Sequence, residues 1–345
     1  MLKELIHPDI WDPSVDPNSI PIENIDMANS DIFMYGDAIF PLFERLRKED
    51  PVHYCPESCV EEVGAYWSIT KYNDIMEVDT NHKVFSSEGS ITLFDPEEDF
   101  TTPMFIAMDP PKHDIQRKAV NPVVAPSNLI NMKDLIRERT AEVLDNLPRN
   151  KQFNWVEEVS IELTTRMLAT LFDFPFHDRR KLTRWSDVST ARPGDGIVDT
   201  EEQRKEELFE CLEYFTRIWN DRVNSEPKTD LVSMLAHNPS TRNMDPMEYL
   251  GNLILLIVGG NDTTRNSMTG GVLALNQNLD QYEKLRKDHS LIYSMVPEII
   301  RWQTPLAYMR RTALEDYELG GKLIKKGDKV IMWYVSGNRD EEVID

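Results

Sequence analysis

The segment Gly259-Gly260-Asn261-Asp262-Thr263-Thr264 sets two glycines and a carboxylate–hydroxyl pair inside a stretch that otherwise reads as one long buried helix. The apolar run Leu253-Ile254-Leu255-Leu256-Ile257-Val258 precedes it, and the pattern resumes at Met268, Val272, Leu273 and Leu275. Asp245-Pro246-Met247-Glu248 supplies a start signal: a capping Asp, a Pro at the first helical position and a Glu three residues after the cap. The predicted helix is roughly 30 residues long, enough to cross a small domain. Two adjacent glycines at its centre cost roughly 1 kcal/mol each relative to Ala, and Asp and Thr are mediocre helix formers. A local failure of sequence rules marks a candidate functional site. Thr263 can donate to the Gly259 carbonyl and open the backbone ladder there, and the missing side chains leave room for a flat ligand and a small molecule.

The chain has 345 residues, 40% hydrophobic and 28% charged, with a net charge of −22. That composition supports a sizeable core. So acidic a balance offers no basic face for phosphates, so nucleic acid is excluded as a partner. Much of the acid falls in residues 95–99 and 201–210, read as solvated surface. Cys55, Cys59 and Cys211 form no disulfide framework, and Cys55-Pro56-Glu57-Ser58-Cys59 reads as a loop with free thiols. The first eight residues hold no apolar core long enough for a signal peptide, and no apolar run reaches the roughly 20 residues of a membrane helix. A cytoplasmic protein is expected.

The pattern predicts a mainly α chain with a small β part. Helices are expected over residues 38–49, 74–81, 129–147, 179–190, 201–224, 282–287 and 292–302, with further helical spacing at Val156, Val159, Leu163, Met167 and Leu171. Strands are expected over 52–54, 67–70, 317–319, 323–324 and 330–335, around turns at Gly320-Gly321 and Gly327-Asp328. No repeat or flexible linker divides the chain, so one domain over residues 1–345 is the simplest reading.

Gly-Gly-x-Asp-Thr-Thr on a long helix, followed by Glu298-Ile299-Ile300-Arg301 on a later one, resembles the distal helix and the Glu-x-x-Arg helix of the cytochrome P450 family, the heme-thiolate monooxygenases. Asp109-Pro110-Pro111-Lys112-His113 with Arg117, and Arg311-Thr312-Ala313-Leu314-Glu315-Asp316 leading to Leu319-Gly320-Gly321, match segments that contact the heme propionates in that family. The resemblance runs from about residue 35 to the last residue. It implies heme b as cofactor and O2 as co-substrate. It also implies that Thr263 hydrogen-bonds the iron-bound oxygen species, that Asp262 connects it to solvent protons, and that Gly259 and Gly260 leave space for oxygen. His113, Arg117 and Arg311 would meet the propionates, with Arg310 a competitor for the part of Arg311. Glu298 and Arg301 would be structural.

The family's thiolate ligand lies on a Phe-x-x-Gly-x-x-x-Cys loop after the Glu-x-x-Arg helix, and no such loop follows Arg301. None of the three cysteines corresponds to it. The chain is therefore expected to be incomplete at its C-terminus, to bind heme weakly if at all, and to show no turnover as it stands.

Ser90, Ile91, Thr92, Leu93, Phe94, Phe105, Ile106, Leu256, Leu306 and Ala307 are the expected pocket lining, apolar or small and without charge. The segments Ile91-Thr92-Leu93-Phe94-Asp95, Met108 to His113 and Gly259 to Ser267 look like the bacterial branch of the family that hydroxylates medium-chain alkanes at the terminal carbon. That branch implies electrons from NADH through a flavin ferredoxin reductase and an iron–sulfur ferredoxin. Two other readings remain: a relative acting on a terpene, sterol or fatty acid, and a non-catalytic helical binding protein derived from the same fold.

Overall fold

Asp245 caps the longest element of the structure, its carboxylate accepting from the Met247 amide at 2.8 Å, and Pro246–Gln277 follows as one helix of 32 residues. Glu248 does not close a capping box; it accepts from Lys112 Nζ at 2.9 Å and from the Gln116 amide. The computed structural model describes residues 15–96 and 99–344, Ser30 and Asp31 by backbone alone. The amino-terminal residues read above for a leader, and acidic residues 97–98, lie outside the described residues. The described residues gather into two compact units, one from residues 15–96, 106–109 and 306–344, the other from 99–105 and 110–305.

The first unit is built on a five-stranded sheet. Its strands are β1 (Val52–Cys55), β2 (Tyr66–Ile69), β3 (Phe85–Ser86), β4 (Met309–Ala313) and β7 (Lys329–Met332), in the order β1-β2-β7-β4-β3. β2 and β7 pair in parallel, and the other neighbours are antiparallel. Successive residues of β7 face opposite layers, as a strand's twofold period requires. Ile331 joins a cluster with Met27, Leu42, Phe43, Leu46, Tyr66 and Trp333, whereas Val330 and Met332 join one with Ile69, Val78, Phe85 and Ile324. A separate hairpin pairs β5 (Tyr317–Leu319) with β6 (Lys322–Ile324). Its two turn residues, Gly320 and Gly321, have φ of 55° and 75°, the twin positive angles that a two-residue hairpin turn demands.

The apolar run predicted as a strand over 330–335 is strand only to Met332; Tyr334–Gly337 turns into a short helix. The first predicted helix starts at Phe40 with Pro41 in its first turn, and Ser30–Ile39 before it is 3-10 helix broken at Gly36.

The second unit is helical. Around Pro246–Gln277 pack Val156–Ile161, Glu162–Phe172, Arg180–Thr190, Glu201–Val223, Leu279–Lys287 and Ile292–Gln303. Val156–Ile161 is a π-helical turn that runs into the α-helix after it. The helix predicted over 129–147 is two, Pro126–Asn131 and Lys133–Asp145, joined at Met132. Leu231–His237, not foreseen from the pattern, is capped by Asp230, which accepts from the Ser233 amide. An aromatic cluster fills the space between helices: Phe172 and Phe215 meet at 5.3 Å, Phe174 and Phe215 at 5.5 Å, and Trp185 and Phe215 at 6.0 Å.

Candidate active site

The central helix keeps α geometry through its glycine-rich middle. Thr263 Oγ1 donates to the Gly259 carbonyl at 2.9 Å, as the spacing predicts, but the helix stays uninterrupted from Pro246 to Gln277. The expected opening of the ladder is therefore corrected: the hydroxyl adds a bond to a carbonyl that has a second lone pair free, and no backbone bond has to break.

Space comes from glycine instead, and from only one of the pair. A Cβ on Gly259 would meet nothing within 4 Å, whereas a Cβ on Gly260 would lie 2.6 Å from Leu168 Cδ2. Gly260 thus lets the Glu162–Phe172 helix approach closely. The other glycines of the helix have the same kind of task. A Cβ on Gly251 would press on the Thr102 carbonyl at 2.6 Å, one on Gly271 would meet Ile299 Cδ1 at 2.7 Å, and one on Gly270 would run into Gln303.

Asp262 projects to another side of the helix. Its carboxylate takes the Arg265 guanidinium at 2.7 Å and the Asn261 side-chain amide at 3.2 Å. Asn261 is wholly buried and in turn accepts from Thr164 Oγ1 at 2.8 Å. Burial pushes the Asp262 carboxyl above its ordinary value, with Arg265 opposing the shift and Asp187 adding to it.

Lys112–Val124 carries His113 and Arg117 one turn apart. His113 Nδ1 lies 2.8 Å from the Phe105 carbonyl, which fixes the ring. Arg117 is exposed and has no partner among the described residues.

In the first unit, adjacent arginines on β4 point to opposite faces. Arg311 pairs with Asp79 at 2.6 Å and donates to the Arg310 carbonyl; Arg310 pairs with Asp95 at 2.7 Å and is the more deeply buried of the two. Of the expected pocket lining, Leu93 is a core residue of this unit with Phe94 packed beside it. The Ile91 carbonyl accepts from the Arg310 amide, and Leu306 is exposed. Leu256 lies in the second unit, on the helix face of Gly259 and Thr263. Glu298 and Arg301 form their pair at 2.6 Å, with Glu298 largely exposed.

Sequence reasoning missed Arg265 and Asp187, which bear directly on Asp262. Arg265 was within reach, since it follows Asp262 at the i, i+3 spacing of a helical ion pair. Asp187 comes from a different helix, and nothing local announces it.

A family model for cytochrome P450 matches residues 194–344. The chain is 32% identical over 336 residues to linalool 8-monooxygenase of Pseudomonas putida, covering 93% of this chain and 81% of that protein. It is 30% identical over 339 residues to the methyl-branched lipid omega-hydroxylase of Mycobacterium tuberculosis, covering 94% of this chain and 78% of that one. The solved structure of cytochrome P450-153 from Novosphingobium aromaticivorans superposes with a TM-score of 0.83 at 45% identity, covering 92% of this chain and 80% of the other. The chain belongs to the cytochrome P450 family. It is a monooxygenase that uses heme b, O2, hydrophobic substrates and redox partners. No helix among the described residues is long and apolar enough to cross a membrane.

The residues of this chain fit the distal side of a heme. Gly259 presents bare backbone, and Arg117 holds an uncommitted guanidinium of the kind a propionate needs. They do not supply the iron's thiolate. Burial pushes all three thiols up, Cys59 to about 12 and Cys55 and Cys211 further.

Proposed function

We propose that the enzyme hydroxylates the terminal carbon of medium-chain alkanes. The observation that carries the substrate class is the row Leu256, Gly259, Thr263 on the central helix. These residues follow at three- and four-residue spacing, and no charged side chain interrupts the row. A surface of this kind gives a hydrocarbon contact and offers nothing to a sugar or a phosphate. Identity of 45% to a P450-153 structure, above the 32% to linalool 8-monooxygenase, supports the narrower assignment, as does the sequence resemblance to the alkane-hydroxylating branch.

Heme, when bound, supplies the iron at which O2 is activated. The chain's own residues handle space and protons. Gly259 leaves room for a diatomic molecule beside the helix. Thr263 presents a hydroxyl whose proton is committed to the Gly259 carbonyl, so its oxygen is free to accept a hydrogen bond, and rotation of the side chain converts it to a donor. Asp262, the residue before Thr263, holds a proton more readily than an ordinary carboxyl because burial raises its affinity. Electrons come from NADH through a flavin reductase and an iron–sulfur ferredoxin. Terminal selectivity comes from a narrow channel that holds the methyl group nearest the reacting centre.

The test is product analysis. Heme-loaded enzyme whose chain includes the family's cysteine loop, supplied with NADH, ferredoxin, its reductase and octane, is expected to yield 1-octanol as the main product. Hydroxylation of linalool or a steroid with octane untouched would move the substrate to the terpenoid class, which the similarity to linalool 8-monooxygenase makes the second reading. No NADH-dependent product from any of these would favour a binding protein on this fold.

A further inference from the structure

Phe105 is held by its backbone from two helices of the helical unit. Its amide donates to Asn252 Oδ1 at 2.9 Å, and its carbonyl lies 2.8 Å from His113 Nδ1. A carbonyl can only accept, so the proton of this bond is on Nδ1, and Nε2 is left for a partner outside the pair. The Phe105 ring also stands edge-on to the imidazole at 6.2 Å. Asn252 lies on the central helix and His113 on Lys112–Val124, so this one residue couples the two.

Asn252 is 1% exposed, between the buried Leu250 and Leu253, a place where packing alone would call for an apolar residue. Gly251 beside it clears the approach: a Cβ there would press on the Thr102 carbonyl at 2.6 Å, so the segment leading to Phe105 is seated directly on the helix backbone. The orientation of the Asn252 amide is dictated from both ends. At one end the Phe105 N–H needs an acceptor. At the other, Gln116, 3% exposed, donates through Nε2 to the Glu248 carboxylate, which can only accept, so Gln116 Oε1 faces Asn252 Nδ2 at 3.0 Å. Lys112 Nζ holds the same carboxylate at 2.9 Å. A chain of buried amides with both ends fixed has one arrangement, and through Phe105 it ends on the His113 ring.

We propose that Asn252 is a positioning residue for His113: by holding the Phe105 amide it fixes the carbonyl that binds His113 Nδ1, and so aims Nε2 toward the heme propionate. The start of the central helix thereby orients a side chain of the Lys112–Val124 helix through a peptide that belongs to neither. Without the Asn252 oxygen, the Phe105 amide would be buried and unpaired, and the peptide would shift to find another acceptor. The consequence for heme rests on the reading of His113 as a propionate contact, but the first test does not.

That test follows the Nδ1 proton of His113 by NMR in the full chain labelled with 15N-histidine, its ring signals assigned by their loss in His113→Ala. In Asn252→Leu, or in Asn252→Ala should the larger side chain not be accommodated, exchange of this proton with water should quicken about tenfold or more. Asn252→Asp keeps an acceptor for the Phe105 amide while setting an oxygen against Gln116 Oε1, so it should lower the melting temperature yet leave the exchange near the parent's. Unchanged exchange in the folded leucine or alanine variant overturns the proposal. So does equal loss of protection in Asn252→Asp, which is what a residue that only holds up the fold would give. In heme-loaded enzyme whose chain includes the family's cysteine loop, Asn252→Leu should release heme to an acceptor protein roughly fivefold faster, the worth of one hydrogen bond, and should add little to the release from His113→Ala. A full added effect in the His113→Ala background overturns the proposal. If His113→Ala retains heme as the parent does while the exchange result stands, the positioning role is supported and the propionate reading of His113 falls.

Discussion

Thr263 Oγ1 donates its proton to the Gly259 carbonyl across 2.9 Å, one helical turn back, at the one glycine of the helix beyond which a side chain would meet open space. The hydroxyl and the gap therefore share a helix face.

Replacing Thr263 by Ala removes that hydroxyl without disturbing a helix that does not depend on it. The fold should persist, with a melting temperature within a few degrees of the parent's. In heme-loaded enzyme, hydroxylated product per NADH should fall about tenfold or more as proton delivery fails. Equal product yield in the two proteins would remove Thr263 from the chemistry.

Gly259 and Gly260 should respond oppositely to alanine. At Gly259 a methyl group meets nothing and replaces a poor helix former, so Gly259→Ala should stabilise by about 0.5–1 kcal/mol while narrowing the space for O2. At Gly260 the methyl falls on the buried Leu168, and overpacking should cost about 1–3 kcal/mol. Thermal unfolding of the two variants side by side is the measurement, and the same sign for both would contradict it.

Arg117 is read as a propionate contact. Arg117→Ala should leave the stability of the apoprotein unchanged, because the side chain has no partner to lose. It should weaken heme retention by about tenfold, the worth of one charge-assisted hydrogen bond, as seen by transfer of heme to an acceptor protein. His113→Ala should act more weakly on heme and more strongly on stability, since His113 is already engaged with Phe105.

Glu162 anchors an ionic cluster, with Arg166 at 2.6 Å, Arg179 at 2.8 Å and Arg180 at 3.0 Å. Burial alone would push its carboxyl up, but hydrogen bonds from Arg166 and Arg179 outweigh this and hold it below the ordinary value of 4.5. The folded state then binds this proton more weakly than the unfolded chain does. The stability Glu162 contributes is full above pH 4.5 and is lost as pH falls through its folded value. Glu162→Gln should cost roughly 1–3 kcal/mol at pH 7, and the gap to the parent should shrink as the pH is taken below 4.5. Melting curves at neutral and acid pH decide it.

What the sequence conveys well is local. Asp245 and Pro246 announce the start of the central helix because the cap bond spans two residues, and Gly320-Gly321 announces a hairpin because the turn needs positive φ at both positions. The strand predicted over 330–335 overruns because an apolar run has no period: Trp333 and Tyr334 are as compatible with a buried turn as with a strand. Leu93 looks like pocket lining in sequence for the same reason, since core and pocket share composition. Gly259 and Gly260 are indistinguishable neighbours until the Glu162–Phe172 helix is placed against one of them. The link from Asp187 to Arg265 spans two helices, and no pattern within either helix encodes it.

The central helix also has a bearing on how this protein can change. A Cβ at Gly259 would touch nothing, whereas one at Gly251, Gly260, Gly270 or Gly271 would press on a neighbour. Substitutions on the face of Gly259 are expected to reshape what the enzyme accepts with little penalty to the scaffold, while those at the packed glycines cost stability, most of all at Gly251, where the obstacle is backbone. A mutational library confined to Leu256, Gly259 and Thr263 should therefore yield mostly folded proteins of varied selectivity, and the freedom to acquire new substrates is concentrated on a single stripe of one helix.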